Sequence, residues 1–363
     1  MRVDVNCYMR VALNLAAKAK GRTYPNPLVG AIVVKNGHIV GQGFHKKAGG
    51  PHAEIFALRQ AGQNAKGAVL FCTFEPCAHY GATGPCVKEI VAAGIKKVYA
   101  GMIDPNPLTK GKGVAYLRKN GISVEVGFLQ NEIARLNEGF IKAMARREPF
   151  VTVKTAESLD GKIATRTGES QWITSSSSRV YAHNLRRYYD AIVVGINTVL
   201  RDDPRLEPVG RNHRFTKVIV DSDLRIPLTA RLFKTRSKVI IVAVRKDRVK
   251  EKRLIKNGAA VFYTCADKTR VDLKELLKKL NDLQIRDVLV EGGAELVGSF
   301  LDKRLADKAL FFIAPKIIGG RRALPAVGGE GAEKLCRAAF LRDVEIKKIE
   351  DDIFIEGYVK YFK

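Results

Sequence analysis

The sequence lacks several features that define whole classes of protein. No apolar run approaches the roughly 20 residues needed to cross a bilayer, and the longest are pieces such as Val239–Val244. Met1–Arg10 contains no hydrophobic core of a secretion signal. Cysteine is scarce, at 6 in 363 residues, so a disulfide framework is not expected. These absences argue against secretion and membrane insertion, and they favour a cytoplasmic protein.

Acidic residues are also few. The chain has 37 Asp and Glu against 63 Lys and Arg, which gives a net charge of +26. A nucleic-acid partner is one interpretation, and it predicts steeply salt-dependent binding to RNA or DNA. However, the basic excess is spread over both halves and forms no basic tail. A basic surface suited to phosphorylated small molecules explains the charge equally well.

What is present is an alternation of strand and helix patterns that is typical of α/β domains. Leu28–Val34 and His38–Phe44 read as strands, and Asn36-Gly37 between them predicts a β-hairpin. Helical spacing continues without interruption over Asn131–Arg146, which predicts one helix there. A second alternating series begins at Phe150.

The length favours two domains, at roughly 150 residues per domain. A polar stretch, Arg146-Arg147-Glu148-Pro149, separates the two alternating series. We therefore expect one domain over residues 1–146 and a second over residues 147–363.

The first half contains residue types that bind catalytic zinc. His52 and Glu54 lie in Gly-Gly-Pro-His-Ala-Glu, Cys77 follows Thr-Phe-Glu-Pro, and Cys86 follows Pro85. A catalytic zinc takes three nitrogen or sulfur ligands and leaves one position for the reacting water. His52, Cys77 and Cys86 would be those ligands, and Glu54 would carry a proton between the water and a leaving amine. The alternative is a structural role for the three residues, or a closed zinc site with His79 as fourth ligand.

These motifs match the zinc deaminase signature, in which the Glu is the acid/base and not a ligand. Together with the net charge of +26, they leave a nucleic-acid-editing deaminase with an appended binding domain as a second hypothesis. The usual second half of that signature is P-C-x-x-C, whereas 8 residues separate Cys77 from Cys86 here. With this insert, with Pro25-Asn26-Pro27-Leu28-Val29-Gly30 and with Asp104-Pro105-Asn106-Pro107, the first half resembles the pyrimidine deaminase domain of bifunctional riboflavin biosynthesis enzymes. The resemblance implies that the Pro25–Gly30 loop and the His79 loop contact the substrate. It departs at Tyr80, where the family usually has a second His.

The second half has no G-x-G-x-x-G after a strand and no P-loop. Its best candidate anion site is Glu291-Gly292-Gly293, where a strand runs into a helix. A plain tight turn is an equally good interpretation of that segment. The residues alone therefore predict an α/β domain without a defined cofactor.

Several longer motifs of this half resemble the reductase domain of the same riboflavin-pathway enzymes. They lie at Lys154–Lys162, Gly168–Thr174, Asp202–Leu206, Val290–Ala294 and Ala314–Gly320. The resemblance implies a dihydrofolate-reductase-like fold that uses NADPH, which agrees with the missing dinucleotide signature. The expected fold class is thus α/β, with a cytidine-deaminase-like zinc domain followed by a dihydrofolate-reductase-like domain.

The same resemblance implies two sets of binding residues in the second half. Those expected along NADPH are Ala156, Trp172, Thr198, Asp202, Ser222 and Gly293. Those expected to hold the substrate are Ser170, Arg186, Leu206 and Glu291. Arg186 suits this role, because a guanidinium fork matches a ribose phosphate.

One departure concerns the substrate phosphate. Where the family usually has an Arg after the Asp-Asp-Pro turn, this chain has Val209. Arg205, Arg211 or Arg214 would have to replace it. The alternative is a zinc deaminase whose reductase-like domain is weakly active or only structural.

The leading hypothesis is an enzyme with two consecutive reactions toward riboflavin. The first is hydrolytic deamination of 2,5-diamino-6-ribosylamino-4(3H)-pyrimidinone 5′-phosphate, and the second is NADPH-dependent reduction of the ribosyl group to ribityl. Zn²⁺ and NADPH are the implied cofactors. The expected partner is this phosphorylated pyrimidine, with neither nucleic acid nor membrane, and the family resemblance implies a homo-oligomer.

Overall fold

A computed structural model describes residues 4–80, 84–210, 215–264 and 269–362. The chain divides into two units, Met1–Glu148 and Pro149–Lys363. The division falls between Glu148 and Pro149, two residues after the predicted boundary between Arg146 and Arg147. Within the described ranges, no helix has both the length and the apolar character that spanning a membrane requires.

In the described part of the first unit, a central sheet is flanked by helices. Its strands are β1 (Gly30–Lys35), β2 (His38–Phe44), β3 (Val69–Phe74), β4 (Lys97–Met102) and β5 (Ser123–Val126). Their order is β2-β1-β3-β4-β5. β1 is antiparallel to β2 and β3, and the other neighbours are parallel. The helices are α1 (Val5–Ala17), α2 (Ala53–Ala61), α3 (Cys86–Ala92), α4 (Lys112–Lys119), α5 (Gln130–Leu136) and α6 (Glu138–Arg146).

The predicted hairpin is confirmed, since β1 and β2 pair across Asn36-Gly37. Both turn residues have positive φ, 51° and 81°, as a tight hairpin turn requires. Gly43 of β2 has a second reason for being glycine, because a Cβ there would lie 2.4 Å from the Cβ of Phe56. Helix α2 therefore rests directly on the sheet, which fixes the position of its first turn.

The prediction of a single helix over Asn131–Arg146 is wrong, because two helices, α5 and α6, are separated there at Asn137. The Asn137 side chain is buried and bonds the backbone of Leu28. Its Oδ1 accepts from the Leu28 N–H at 2.7 Å, and its Nδ2 donates to the Leu28 carbonyl at 3.2 Å. The break thus ties the second half of this unit to the Pro25–Gly30 loop.

The described part of the second unit is built on a larger sheet. Its strands are β6 (Phe150–Ser158), β7 (Lys162–Ala164), β8 (Ala191–Gly195), β9 (Thr216–Val220), β10 (Lys238–Ala243), β11 (Ala259–Tyr263), β12 (Asp287–Glu291), β13 (Lys308–Ala314), β14 (Leu324–Pro325), β15 (Phe340–Ile349) and β16 (Asp352–Lys360). The main sheet has the order β11-β10-β9-β8-β12-β6-β13-β16-β15, and β7 pairs with β14 separately. The strands from β11 to β13 are parallel, while β16 and β15 are antiparallel.

Helices connect these parallel strands. They are α7 (Ser176–Leu185), α8 (Ile196–Asp202), α9 (Arg248–Lys256), α10 (Leu273–Asp282) and α11 (Ala294–Asp302). Helix α7 ends at Leu185, and the chain continues as a 3-10 turn, Arg186–Tyr188. Because β9, β8, β12 and β6 are parallel neighbours, their carboxyl ends lie along one edge of the sheet, where α/β proteins bind ligands.

Candidate functional site

Three potential metal ligands meet in the first unit. His52 lies immediately before α2, Cys77 follows β3, and Cys86 is the first residue of α3. His52 Nδ1 is 3.1 Å from Cys86 Sγ and 3.4 Å from Cys77 Sγ. The three ligand atoms all lie within 4.8 Å of one another, and no other described residue joins this group.

The charges of these side chains are coupled. A hydrogen bond from Cys86 lowers the pKa of Cys77 to about 4 against the effect of burial. The same hydrogen bond raises the pKa of Cys86. The hydrogen bond with Cys77 also raises the pKa of His52. An imidazole nitrogen and two sulfurs at this spacing are the donor set of a zinc site with one open position.

His79 does not complete a closed site among the described residues. Its Nδ1 lies 3.1 Å from Thr109 Oγ1 instead, and it is not among the three converging ligands. The insert residues 81–83 lie outside the described residues. The geometry favours three protein ligands, as an open catalytic site requires.

Glu54 lies in the first turn of α2 and is 3% exposed. Its Oε2 has no hydrogen-bond partner among the described residues. Burial raises the pKa of Glu54 to about 7, against the opposing effect of His52. A buried carboxyl group that holds a proton near neutral pH is suited to general acid–base chemistry.

His52, Cys77 and Glu54 line a cavity of about 270 Å³, a size suited to one small ring. Asn26 of the Pro25–Gly30 loop and His79 also line it. The structure therefore brings both predicted substrate loops to the candidate metal site.

Four other residues that line this cavity have no role predicted from the sequence. They are His45, Glu75, Asp104 and Thr109. His45 Nε2 lies 3.1 Å from Asn26 Nδ2, and its Nδ1 lies 3.1 Å from the Pro51 carbonyl. Burial raises the pKa of Asp104 to about 6. The Asp-Pro-Asn-Pro motif was the available signal for Asp104, but nothing in the sequence indicates which side chain it meets.

In the second unit, Arg186 and Glu291 form a bidentate ion pair. Arg186 Nε donates to Glu291 Oε1 at 2.9 Å, and Nη2 donates to Oε2 at 2.8 Å. Burial opposes ionisation of Glu291, but Arg186 and Lys154 hold its pKa at about 2. Burial lowers the pKa of Lys154. The Arg186 guanidinium, which was expected to bind the ribose phosphate, is thus hydrogen-bonded to the Glu291 carboxylate.

Several predicted NADPH residues lie at the carboxyl-end edge of the sheet. Gly292 and Gly293 follow β12 with φ of 84° and 72°. A Cβ on Gly292 would lie 3.2 Å from Thr198 Oγ1 of α8, so these two segments are close neighbours. Ser222 follows β9 and accepts from two backbone N–H groups, those of Val244 and Arg245. This glycine cradle between strand ends fits a phosphate-bearing cofactor.

The remaining predicted residues are more dispersed. Ala156 is in β6, opposite Phe312 of β13, whereas Ser170 precedes α7 and Asp202 ends α8 with its side chain exposed. Trp172 is exposed, and the Arg179 guanidinium lies 4.4 Å from its ring centroid. No described contact joins them directly to the Arg186–Glu291 pair.

The loop after α8 differs from the expectation in two ways. The Leu206 side chain is buried in an apolar cluster, so only its backbone is available to a substrate. Val209 is exposed, and the candidate replacements Arg211 and Arg214 lie outside the described residues. Glu207 instead bonds the fully buried Lys217, at 2.7 Å, and accepts from Ser237 Oγ at 2.7 Å.

Comparisons with known proteins agree with both halves of the fold. Residues 3–102 match the family described as cytidine and deoxycytidylate deaminase zinc-binding region, and residues 149–355 match the RibD C-terminal domain. The riboflavin biosynthesis protein RibD of Aquifex aeolicus is 44% identical over 97% of this chain and 98% of its own. The Escherichia coli protein of the same name is 36% identical, over 95% and 97%.

Solved structures extend this similarity to three dimensions. Acinetobacter baumannii RibD has a TM-score of 0.89 at 37% identity, covering 98% of this chain and 99% of its own. A Thermotoga maritima diaminohydroxyphosphoribosylaminopyrimidine deaminase/5-amino-6-(5-phosphoribosylamino)uracil reductase has a TM-score of 0.84 at 34% identity, with the same coverage. The predicted fold class, a deaminase-like domain followed by a reductase domain, is confirmed.

Proposed function

This chain belongs to the RibD family of riboflavin biosynthesis, and from that premise we propose how its own residues perform the two reactions. It is a bifunctional zinc-dependent deaminase and NADPH-dependent reductase. We assign the deaminase reaction to residues 1–146 and the reductase reaction to residues 147–363. The substrate of the first reaction is 2,5-diamino-6-ribosylamino-4(3H)-pyrimidinone 5′-phosphate.

In the first unit, His52, Cys77 and Cys86 hold zinc, which supplies Lewis-acid activation of water. The observation that carries this assignment is the convergence of one imidazole and two sulfurs beside a buried carboxyl group. Glu54 accepts a proton from the water and delivers it to the departing amine. A carbon–oxygen bond forms at C2 of the pyrimidine, the exocyclic carbon–nitrogen bond breaks, and ammonia leaves.

In the second unit, bound NADPH would supply a hydride for C1′ of the ribosyl group. The C1′–O4′ bond of the ribose ring breaks, and the ring oxygen takes up a proton from water and becomes the 4′-hydroxyl of the ribityl chain. Thr198 and Gly293 hold the cofactor at the strand ends, with Ala156, Trp172, Asp202 and Ser222 along it. Ser170, Glu291 and the Leu206 backbone hold the substrate. Arg186 acts through Glu291, because its fork fixes both carboxylate oxygens.

The decisive experiment is Glu54→Gln. We expect ammonia release to fall at least a hundredfold, because a positioned acid–base group contributes about 10²–10⁴ in rate. Zinc content should remain stoichiometric, since Glu54 is not a ligand. NADPH oxidation on the already deaminated intermediate serves as the internal control and should be unchanged. Ammonia release at the parent rate would show that Glu54 does not carry the proton.

The same coupled assay decides between a working and a merely structural reductase unit. One NADPH consumed per deaminated intermediate supports the reductase assignment despite Val209. Absence of NADPH consumption in a folded, zinc-loaded chain would favour the structural alternative.

We also propose that the protein is a cytoplasmic homo-oligomer. Metal-binding thiols must stay reduced, which supports a cytoplasmic location. Edge strand β15 carries exposed apolar side chains at Val344 and Ile346, and the chain continues to exposed Phe362. Such an edge is suited to pairing with a second copy. Light scattering after gel filtration tests this, and Ile346→Lys should shift the mass toward a monomer.

A further inference from the structure

The carboxylate of Glu75, which lines the deaminase cavity, accepts hydrogen bonds from several backbone N–H groups. Glu75 follows β3, two residues before Cys77, and is 3% exposed. Its Oε2 accepts from the backbone N–H of Gly111 at 2.8 Å and of Asp104 at 3.3 Å, and Oε1 accepts from Gly113 at 3.0 Å. One buried carboxylate thus satisfies three backbone donors of a single segment, residues 104–113.

The contact between Glu75 and this segment is close and specific. A Cβ on Gly113 would lie 1.9 Å from the Pro76 carbonyl oxygen, so the start of α4 touches the chain that leads to Cys77. Gly111 has φ of 75°, a conformation that favours glycine. These positions let the backbone donors reach a carboxylate, and an anion is favoured at the start of a helix.

Segment 104–113 carries side chains into the cavity. Asp104, Asn106 and Thr109 line it together with Glu54. Thr109 Oγ1 lies 3.1 Å from His79 Nδ1, so the segment also supports the His79 loop. Asp104 Oδ1 accepts from the Asn106 N–H at 2.9 Å, which closes the turn. Glu75 is therefore joined by hydrogen bonds to a segment that forms part of the cavity wall.

We propose that Glu75 is a positioning residue for the deaminase substrate. Its carboxylate holds segment 104–113 at the distance from Glu54 and the metal ligands at which the pyrimidine fits between them. The inference rests on the proposed function of this cavity and adds a residue that sets substrate affinity without contacting the reacting atoms.

Glu75→Gln tests the inference with little change in size. In one amide orientation Gly113 loses its acceptor, and in the other both Asp104 and Gly111 lose theirs. Because hydrogen bonds to charged acceptors are strong, we expect the KM for the diaminopyrimidine substrate to rise roughly tenfold to a hundredfold. The kcat, the zinc content and NADPH oxidation on the deaminated intermediate should change little. Glu89→Gln, at an exposed position of α3, is the matched control and should leave the KM unchanged.

A second variant keeps the test informative if Glu75→Gln folds poorly. Thr109→Val removes the partner of His79 and should also raise the KM. In the double variant, the two effects should combine to less than their product, because both act through segment 104–113. An unchanged KM in either folded variant would overturn the inference, as would a loss of activity that follows a loss of zinc. If the unaltered chain released no ammonia, the proposed function would fail, and this inference with it.

Discussion

The Arg186–Glu291 pair allows a quantitative prediction about stability. Glu291→Gln keeps the shape of the side chain but removes the charge that faces Arg186 and Lys154. The pKa of Glu291 is about 2 in the folded chain against a reference value of 4.5. At about 1.4 kcal/mol per pH unit, this difference corresponds to about 3 kcal/mol. The loss of one partner from a buried pair costs a similar amount, about 3–5 kcal/mol. We expect Glu291→Gln to lower the free energy of unfolding by about 3 kcal/mol at pH 7.

The effect has a defined pH dependence. Because the folded pKa of Glu291 lies below the unfolded one, its contribution is complete above the unfolded value of about 4.5. The contribution is then lost as the pH falls toward the folded value of about 2. The stability gap between the unaltered chain and Glu291→Gln should therefore be constant from pH 7 to about 5 and should narrow below that.

Urea unfolding followed by hydrogen exchange of the β12 amides is a suitable assay, because β12 lies in the second unit and carries Glu291. Glu295→Gln is the matched control, since Glu295 is exposed in the neighbouring helix α11. A Glu291→Gln chain as stable as its parent at pH 7, or a gap that does not narrow at low pH, would refute the ion-pair reasoning.

Two further predictions concern the second buried charge and the metal. Glu207→Gln should lower the free energy of unfolding by about 1–3 kcal/mol, because it removes the charge that faces the fully buried Lys217 and leaves its Nζ with the Leu232 carbonyl and the Thr235 hydroxyl. Lys217→Met should lower the free energy of unfolding by less, because Glu207 is partly exposed and can be hydrated by water. Equal decreases for the two variants in urea unfolding would contradict this prediction. Zinc removal by a chelator should abolish ammonia release and spare NADPH oxidation on the deaminated intermediate. Re-addition of zinc should restore the first activity, and a parallel loss of both would contradict the separation of the sites.

The metal site was predictable from the sequence because its residues lie where elements begin and end. His52 precedes α2, and Cys86 opens α3. Local patterns define such positions well, and the chemistry of His and Cys narrows their roles. Buried parallel strands of the second sheet were predictable from their composition, because runs such as Val239–Val244 are apolar throughout, as strands buried on both faces are.

Features that depend on distant partners could not be predicted. Asn137 interrupts a helical pattern because of a backbone 109 residues away. Arg186 was expected to bind the substrate phosphate, because nothing in the neighbouring sequence indicates that its guanidinium pairs with Glu291, 105 residues away. Strand β15 has no alternating pattern because nearly all of its residues are exposed. Its position is set by pairing with β16.

The spacing of the three metal ligands has a consequence for the folding equilibrium. His52 is 25 residues from Cys77 and 34 residues from Cys86, so an ion held by all three would close two long loops and join α2, α3 and the end of β3 at one point. An ion that binds the folded chain in preference to the unfolded chain adds its binding free energy to folding. We therefore expect zinc depletion to make the first unit more sensitive to heat and proteolysis, with less effect on the second unit, which contributes none of the three ligands.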